Sequence, residues 1–194
     1  AKNYKKYSLK LLRVCNKKPI SFEVFADTFS EMIKQAYVIN SWGKNIYVKI
    51  PVINTKGFFS GNVIKRLCNK NIKLNITAVY TVAQVRKILK NVNNNSKIII
   101  SIFAGRMGDV GKDPVPIIKE SVRLTKRLKN VEILWASTRE AYNYTQANHY
   151  GCSIITMPPS IIEKISKFGK TLQELSLDTV KKFLKDSKDA NFKI

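Results

Sequence analysis

The sequence predicts an α/β protein built as a (β/α) barrel, and three observations carry that prediction. Short β-branched runs alternate with stretches of helical spacing along the chain. Such strand–helix repetition with short connections marks parallel βαβ units. No Walker loop and no Gly-x-Gly-x-x-Gly follows any run, which counts against the natural alternative, a nucleotide-binding sheet. The runs also have an almost wholly apolar outward phase and a polar inward phase, as a barrel with a wet lumen requires.

The elements follow in order. Tyr4–Asn16 has helical spacing and precedes the first strand. Strands are expected at Ile20–Ala26, Ile46–Val52, Leu74–Tyr80, Lys97–Ala104, Glu132–Ser137 and Ser153–Met157, since β-branched and aromatic residues suit a pleated surface. Helices are expected between them, at Asp27–Ser41, Ser60–Lys70, Thr81–Asn93, Asp113–Lys129, Thr138–His149 and Pro158–Lys167, with a last one at Thr171–Asp189. Thr28-Phe29-Ser30-Glu31 and Thr171-Leu172-Gln173-Glu174 have the form of capping boxes, and Thr81-Val82-Ala83-Gln84 is the Gln version. Asn93-Asn94-Asn95 reads as a polar loop. No linker longer than a turn interrupts the pattern, so residues 1–194 read as a single domain of six βα units.

Composition bounds the function. The chain of 194 residues is long enough for one domain with a real core. No apolar run approaches membrane-span length, and no apolar signal core follows the basic start Ala1–Lys6. Cys15, Cys68 and Cys152 lie far apart without paired or zinc-type spacing, which fits a reducing cytoplasm. Lys and Arg total 35 against 13 acids, a formal charge of +22. Phosphate neutralisation on nucleic acid is one reading of that excess. The lysines are spread rather than clustered, however, and accompany a richness in Asn, Ile and Tyr, as in a product of an AT-rich genome. That second reading is preferred, and nucleic acid is not an expected partner. A positive field still attracts phosphorylated sugars.

The inward phase holds the candidate chemistry. Strand residues alternate between faces. This places Ser21, Glu23 and Phe25 inward on the first strand, Tyr47, Lys49 and Pro51 on the second, and Asn75, Thr77 and Val79 on the third. Ser101, Phe103 and Gly105 follow on the fourth, and Trp135, Ser137 and Arg139 on the fifth. A lysine inside a barrel is costly unless it is paired or gives up its proton. Lys49 is therefore either a nucleophile, because a neutral amine attacks a ketone, or the ion-pair partner of Glu23 on the adjacent strand. Geometry alone leaves both open. Glu23 suits acid/base work through water, and Thr77 could hold that water. Arg106 and Arg139 near strand ends suit a phosphate, since a guanidinium donates two parallel bonds; their bland reading is surface charge. His149, the only histidine, reads as a surface or capping residue, which excludes His triads and His metal clusters. Asp109 and Asp113 read as caps of the next helix rather than metal ligands. Trp42, Trp135 and Cys152 read as packing residues.

Several segments together resemble the small bacterial transaldolases and the related fructose-6-phosphate aldolases. They are Pro-Ile-Ser-Phe-Glu-Val-Phe-Ala-Asp (19–27), Trp-Gly-Lys-Asn-Ile-Tyr-Val-Lys-Ile-Pro-Val (42–52), Lys-Leu-Asn-Ile-Thr-Ala-Val-Tyr (73–80), Ser-Ile-Phe-Ala-Gly-Arg (101–106), Leu-Trp-Ala-Ser-Thr-Arg (134–139) and Gly-Cys-Ser-Ile-Ile-Thr (151–156). The resemblance implies a TIM-type barrel and a class I aldol mechanism that needs no metal or other cofactor. It implies Lys49 as the Schiff-base lysine, Glu23 and Thr77 as the pair positioning a catalytic water, and Asn75 and Ser101 as site-lining residues. Arg106, Ser137 and Arg139 become the phosphate set. The implied reaction belongs to the pentose phosphate pathway and moves a dihydroxyacetone unit among fructose 6-phosphate, sedoheptulose 7-phosphate, erythrose 4-phosphate and glyceraldehyde 3-phosphate. Relatives form homo-oligomers, pentamers or decamers, with the last helix reaching a neighbour; Thr171–Asp189 suits that part.

Two positions bear on the choice of activity. The aldolase branch carries Gln where Glu23 stands and Tyr where Phe103 stands, so this chain sides with transaldolase. The family's first two strands, with a catalytic Asp and a Thr-Thr-Asn-Pro segment, have no counterpart here, and Tyr4–Asn16 aligns with the helix that follows them. Two alternatives accompany the transaldolase reading. One is fructose-6-phosphate aldolase activity; the other is a non-catalytic, amino-terminally incomplete barrel that binds RNA through its basic surface.

Overall fold

The computed structural model describes residues 3–191. Ala1 and Lys2, the first of the basic start, lie outside them, as do residues 192–194 of the region read as one domain. The chain forms two compact units, one running to Met157 and the other beginning at Pro158.

The first unit is a parallel sheet with helices between its strands. Its elements are α1 (Tyr4–Cys15), β1 (Ile20–Glu23), α2 (Phe29–Asn40), β2 (Ile46–Pro51), α3 (Gly61–Cys68), β3 (Leu74–Val79), α4 (Val82–Leu89), β4 (Ile98–Ile102), α5 (Ala104–Asp109), α6 (Val115–Thr125), β5 (Val131–Trp135), α7 (Tyr142–His149) and β6 (Ile154–Ile155). The six strands lie in sequence order and every neighbouring pair is parallel. Parallel neighbours in sequence order, each joined by a helical crossover, are the pattern of a (β/α) barrel wall. The wall is curled. Asn75 on β3 reaches past β2 to donate a 3.0 Å hydrogen bond to Ser21 on β1, which only a concave face permits.

The apolar outward phase makes the core. Val48, Ile50, Leu74, Ile76, Ile98, Ile100 and Ile102 are wholly buried against Ile64, Leu67, Val85, Ile88 and Ile118 of the helices. A smaller apolar group, Tyr47, Ile99, Leu134 and Ala136, closes the concave side. Local chemistry sets the helix starts. Thr81 and Gln84 form a complete capping box, satisfying two donors that a helix N-terminus otherwise leaves orphaned. Thr28 accepts from the Glu31 amide at 3.4 Å, and its hydroxyl also donates to the Glu31 carboxylate at 2.6 Å. The Asn93 loop is tightly tied: its side chain accepts from the amides of Asn95 and Ser96 and donates to the Cys68 carbonyl.

The second unit contains α8 (Pro159–Ile165) and α9 (Leu172–Asp189), and α9 opens with the complete Thr171/Glu174 capping box.

Two face assignments from the sequence are corrected. Val79 is fully buried in the helix-side core instead of the lumen. The pairing of β3 with β4 shifts register between Ile76 and Val79, and Ala78 takes a φ of 58°, so one extra residue turns the strand over. Trp135 likewise belongs to the helix-side core, while Leu134 and Ala136 face inward. The expected phase of the fifth strand is one residue off, and a one-residue slip exchanges the two faces. Helix α5 has no counterpart in the sequence reading, which extends the fourth strand to Ala104.

Candidate active site

The concave face holds a cleft of about 960 Å³. It lies within the first unit, and its upper part is lined by the carboxyl ends of the strands, where active sites of this architecture sit. Seven of the nine residues selected from the sequence line it: Lys49, Asn75, Ser101, Phe103, Arg106, Ser137 and Arg139.

Lys49 is half-buried on β2, in register with Glu23 on one side and Asn75 on the other. Its amine lies 6.0 Å from the centroid of the Phe103 ring, within range of the ring's negative face. Among the described residues no carboxylate lies within ion-pair distance of that amine. The alternative in which Glu23 merely neutralises Lys49 therefore has no contact to rest on.

Beside the lysine runs a short polar chain. Ser101 donates to Asn75 Oδ1 at 2.7 Å, and Asn75 Nδ2 donates to Ser21 at 3.0 Å. Asn75 is 5% exposed and Ser101 2%, so these bonds are shielded from water and hold the amide in one orientation. Phe103 forms the next part of the wall. It packs edge-on against Tyr80, and the Arg106 guanidinium lies 5.5 Å from its ring centroid.

The far end of the cleft is built by backbone geometry. Gly105 lies in the first turn of α5, and its amide donates to the Ala136 carbonyl at 3.4 Å. A Cβ placed on Gly105 would lie 1.5 Å from the Ser137 carbonyl oxygen, so no side chain fits there. Ser137 itself has a φ of 64°, unusual for a residue other than Gly, Asn or Asp. The strand therefore breaks after Trp135, and Ala136 and Ser137 both reach the cleft. Ser137 and Arg139 stand where the sequence reading expected them, but a turn delivers them and not strand alternation. The Thr138 hydroxyl donates to the Thr156 carbonyl at 2.6 Å and ties this turn to the last strand.

Arg139 is engaged with Asp109. Its Nε donates to the two carboxylate oxygens at 2.9 and 3.1 Å, and Nη2 donates at 2.6 Å. This guanidinium holds the Asp109 carboxyl below the usual carboxylate range, with the charge of Arg106 adding to the effect. Asp109 is thus an ion-pair partner and not a helix cap. Asp113 does cap α6, accepting from the Val115 amide at 2.9 Å. The sequence reading missed Asp109's role because its partner is 30 residues away.

Glu23 and Thr77 do not line this cleft, although Glu23 is in register with Lys49 on the adjacent strand. Glu23 borders a separate, mostly apolar cleft with Tyr4, Phe25 and Trp42, and its amide donates to the Tyr4 hydroxyl at 3.0 Å. Burial raises the Tyr4 pKa, and the Glu23 charge adds to that rise. Thr77 is 2% exposed, and its hydroxyl has no hydrogen-bond partner among the described residues. It precedes the register shift that turns Val79 outward. Among the described residues no three His, Cys, Asp or Glu side chains gather where they could hold a metal, and no helix is long and apolar enough to cross a membrane. His149 is exposed in the last turn of α7, with its ring against Tyr150.

A cleft along the concave face of a curled parallel sheet, reaching the carboxyl ends of its strands with Lys49 on its wall and Arg106 and Arg139 at its far end, defines a protein of the (β/α)-barrel class. The sequence comparisons narrow this class. The family model described as transaldolase/fructose-6-phosphate aldolase matches residues 5–194, and the chain belongs to that family. A protein of Streptococcus equi subsp. zooepidemicus named "Probable transaldolase" is 32% identical over 87% of this chain and 73% of its own length. One of Leptospira biflexa with the same name is 29% identical over 99% of this chain and 85% of its own length. One of Herpetosiphon aurantiacus is 26% identical over 88% of this chain and 73% of its own.

Proposed function

We propose that the protein is a transaldolase that works through a Schiff base on Lys49. The observation that carries this reading is the position of Lys49: a half-buried side chain on the wall of the cleft, without a carboxylate partner among the described residues, in a chain of the transaldolase family. The substrates are sugar phosphates, with the donor's carbonyl at Lys49 and its phosphate at Arg106, Ser137 and Arg139.

In the proposed cycle the neutral Lys49 amine adds to the C2 carbonyl of the donor ketose and water leaves, giving the Schiff base. A base takes the proton of the C4 hydroxyl. The C3–C4 bond then breaks, its electron pair passing into the iminium, and the aldose phosphate departs. The remaining enamine attacks the aldehyde of an acceptor aldose, whose oxygen takes a proton, and water releases the new ketose. Asn75 and Ser101, locked to each other, offer a fixed polar surface to the donor's hydroxyls. Glu23 and Thr77 are assigned the water that carries protons. For Thr77 the support is its buried, unpartnered hydroxyl; for Glu23 it is strand register with Lys49. Phe103 closes the wall beside the amine and keeps bulk water from the enamine. This favours transfer to an aldose over protonation and release.

The test separates transfer from release. Fructose 6-phosphate with erythrose 4-phosphate should yield glyceraldehyde 3-phosphate and sedoheptulose 7-phosphate, and Lys49→Ala should abolish the yield. Free dihydroxyacetone formed without an acceptor would replace this reading with an aldolase. Equal product from Lys49→Ala would remove the lysine from the mechanism.

A further inference from the structure

Beside the phosphate end of the cleft stands an acid, Asp109, that the transfer reaction does not require. Asp109 takes both Nε and one Nη of Arg139, which is the edge a guanidinium offers to a phosphate. It does not line the main cleft. It borders two neighbouring clefts, one of about 360 Å³ shared with Arg139 and Glu140 and one of about 520 Å³ shared with Arg106, while Arg139 itself also lines the main cleft. Arg106, on the same short helix, is exposed and stacked on Phe103, and no carboxylate pairs with it among the described residues. The two arginines are therefore in different states: one is free to receive an anion and the other is engaged.

We infer that Asp109 is a built-in competitor for Arg139, a carboxylate that the substrate's phosphate must displace to gain its second guanidinium. This rests on the reading of Arg106 and Arg139 as the phosphate set. The exchange is feasible because both partners are half-exposed, with side-chain exposures of 50% for Arg139 and 46% for Asp109. An exposed pair holds its geometry only weakly, whereas a dianion brings more charge and three acceptors. Phosphate is admitted while carboxylates and other singly charged anions compete poorly with the resident acid. Asp109 is a specificity-setting residue rather than a catalytic one.

The experiment is calorimetric titration of inorganic phosphate into the full chain at low ionic strength and near-neutral pH. The variants are Asp109→Asn, Asp109→Ala, Arg139→Ala, Arg106→Ala and the double variant Asp109→Asn/Arg139→Ala. Removing the competitor should tighten phosphate binding, by up to about fivefold for a pair of this exposure, in both Asp109 variants. The gain should vanish in the double variant. A merely structural role for Asp109 would loosen Arg139 and weaken binding. Unchanged, weakened or undetectable phosphate binding in the Asp109 variants, with Arg139→Ala still weaker than wild type, overturns the competitor and spares the phosphate set. Wild-type affinity in both Arg106→Ala and Arg139→Ala overturns the phosphate set, and the competitor with it.

Discussion

Gly105→Ala is the most exacting substitution the structure offers. The Cβ it introduces would lie 1.5 Å from the Ser137 carbonyl oxygen and 2.7 Å from the Ser137 carbonyl carbon. Both atoms are backbone, so no rotamer change can relieve the overlap. Either the first turn of α5 lifts off the end of β5 or the turn at Ser137 unwinds. Overpacking a tight site costs about 1–3 kcal/mol and sometimes more, and a clash with backbone belongs at the upper end. At about 3 kcal/mol, a chain of this size should melt roughly 6–12 °C lower. Gly108→Ala is the matched control, since nothing lies within 4 Å of its added Cβ and it stands in the same helix. It should be neutral or raise the melting temperature slightly. Thermal and urea unfolding of the two variants beside wild type decide the matter. A Gly105→Ala protein that unfolds with the wild type would refute the close approach of α5 to β5, and with it the geometry of the phosphate end.

Other expectations follow from single contacts. Asn75→Ala leaves Ser21 and Ser101 without their shared partner, and urea unfolding should show a loss of about 1–3 kcal/mol. Thr81→Ala removes the capping box of α4 and should cost about 1 kcal/mol in the same assay. Burial pushes the Cys152 thiol up to about 12 and raises that of Cys68 also, so iodoacetamide near neutral pH should label both only on unfolding. Asp109 has a lowered pKa in the folded state. Its contribution to stability is therefore full above the unfolded value near 3.8 and is lost as pH falls through the lower folded value. Urea unfolding across acidic pH should show that loss in wild type and not in Asp109→Asn.

Most of the architecture is legible in the sequence, because a strand buried on its helix side repeats with a period of two. Ile46–Val52 is the clearest case: Val48 and Ile50 are fully buried toward the helices, and Lys49 between them reaches the cleft. The reading breaks where the backbone departs from that period. A bulge at Ala78 sends Val79 to the other face, and neither residue type announces it. Periodicity misplaces Trp135 because its run contains apolar residues in both phases and leaves nothing to choose between. Helix α5 escaped notice because Ala104-Gly105-Arg106-Met107-Gly108-Asp109 is one short turn with two glycines, a poor helix by composition. It forms because Gly105 can approach the end of β5, a contact between segments about thirty residues apart. The Asp109–Arg139 pair has the same origin. For Glu23, strand phase and the register with Lys49 agree, but β1 ends at that residue, and its contact with Tyr4 from α1 lies outside what a strand period can tell.

The central claim is that Lys49 carries the sugar as a covalent imine, and borohydride reduction tests it most directly. Wild-type protein incubated with fructose 6-phosphate and reduced should carry a stable sugar adduct, which peptide mass mapping locates on Lys49. The Lys49→Ala protein, shown to be folded by its melting curve, should remain unmodified. An adduct formed equally in both proteins, or mapped to another lysine, would contradict the account.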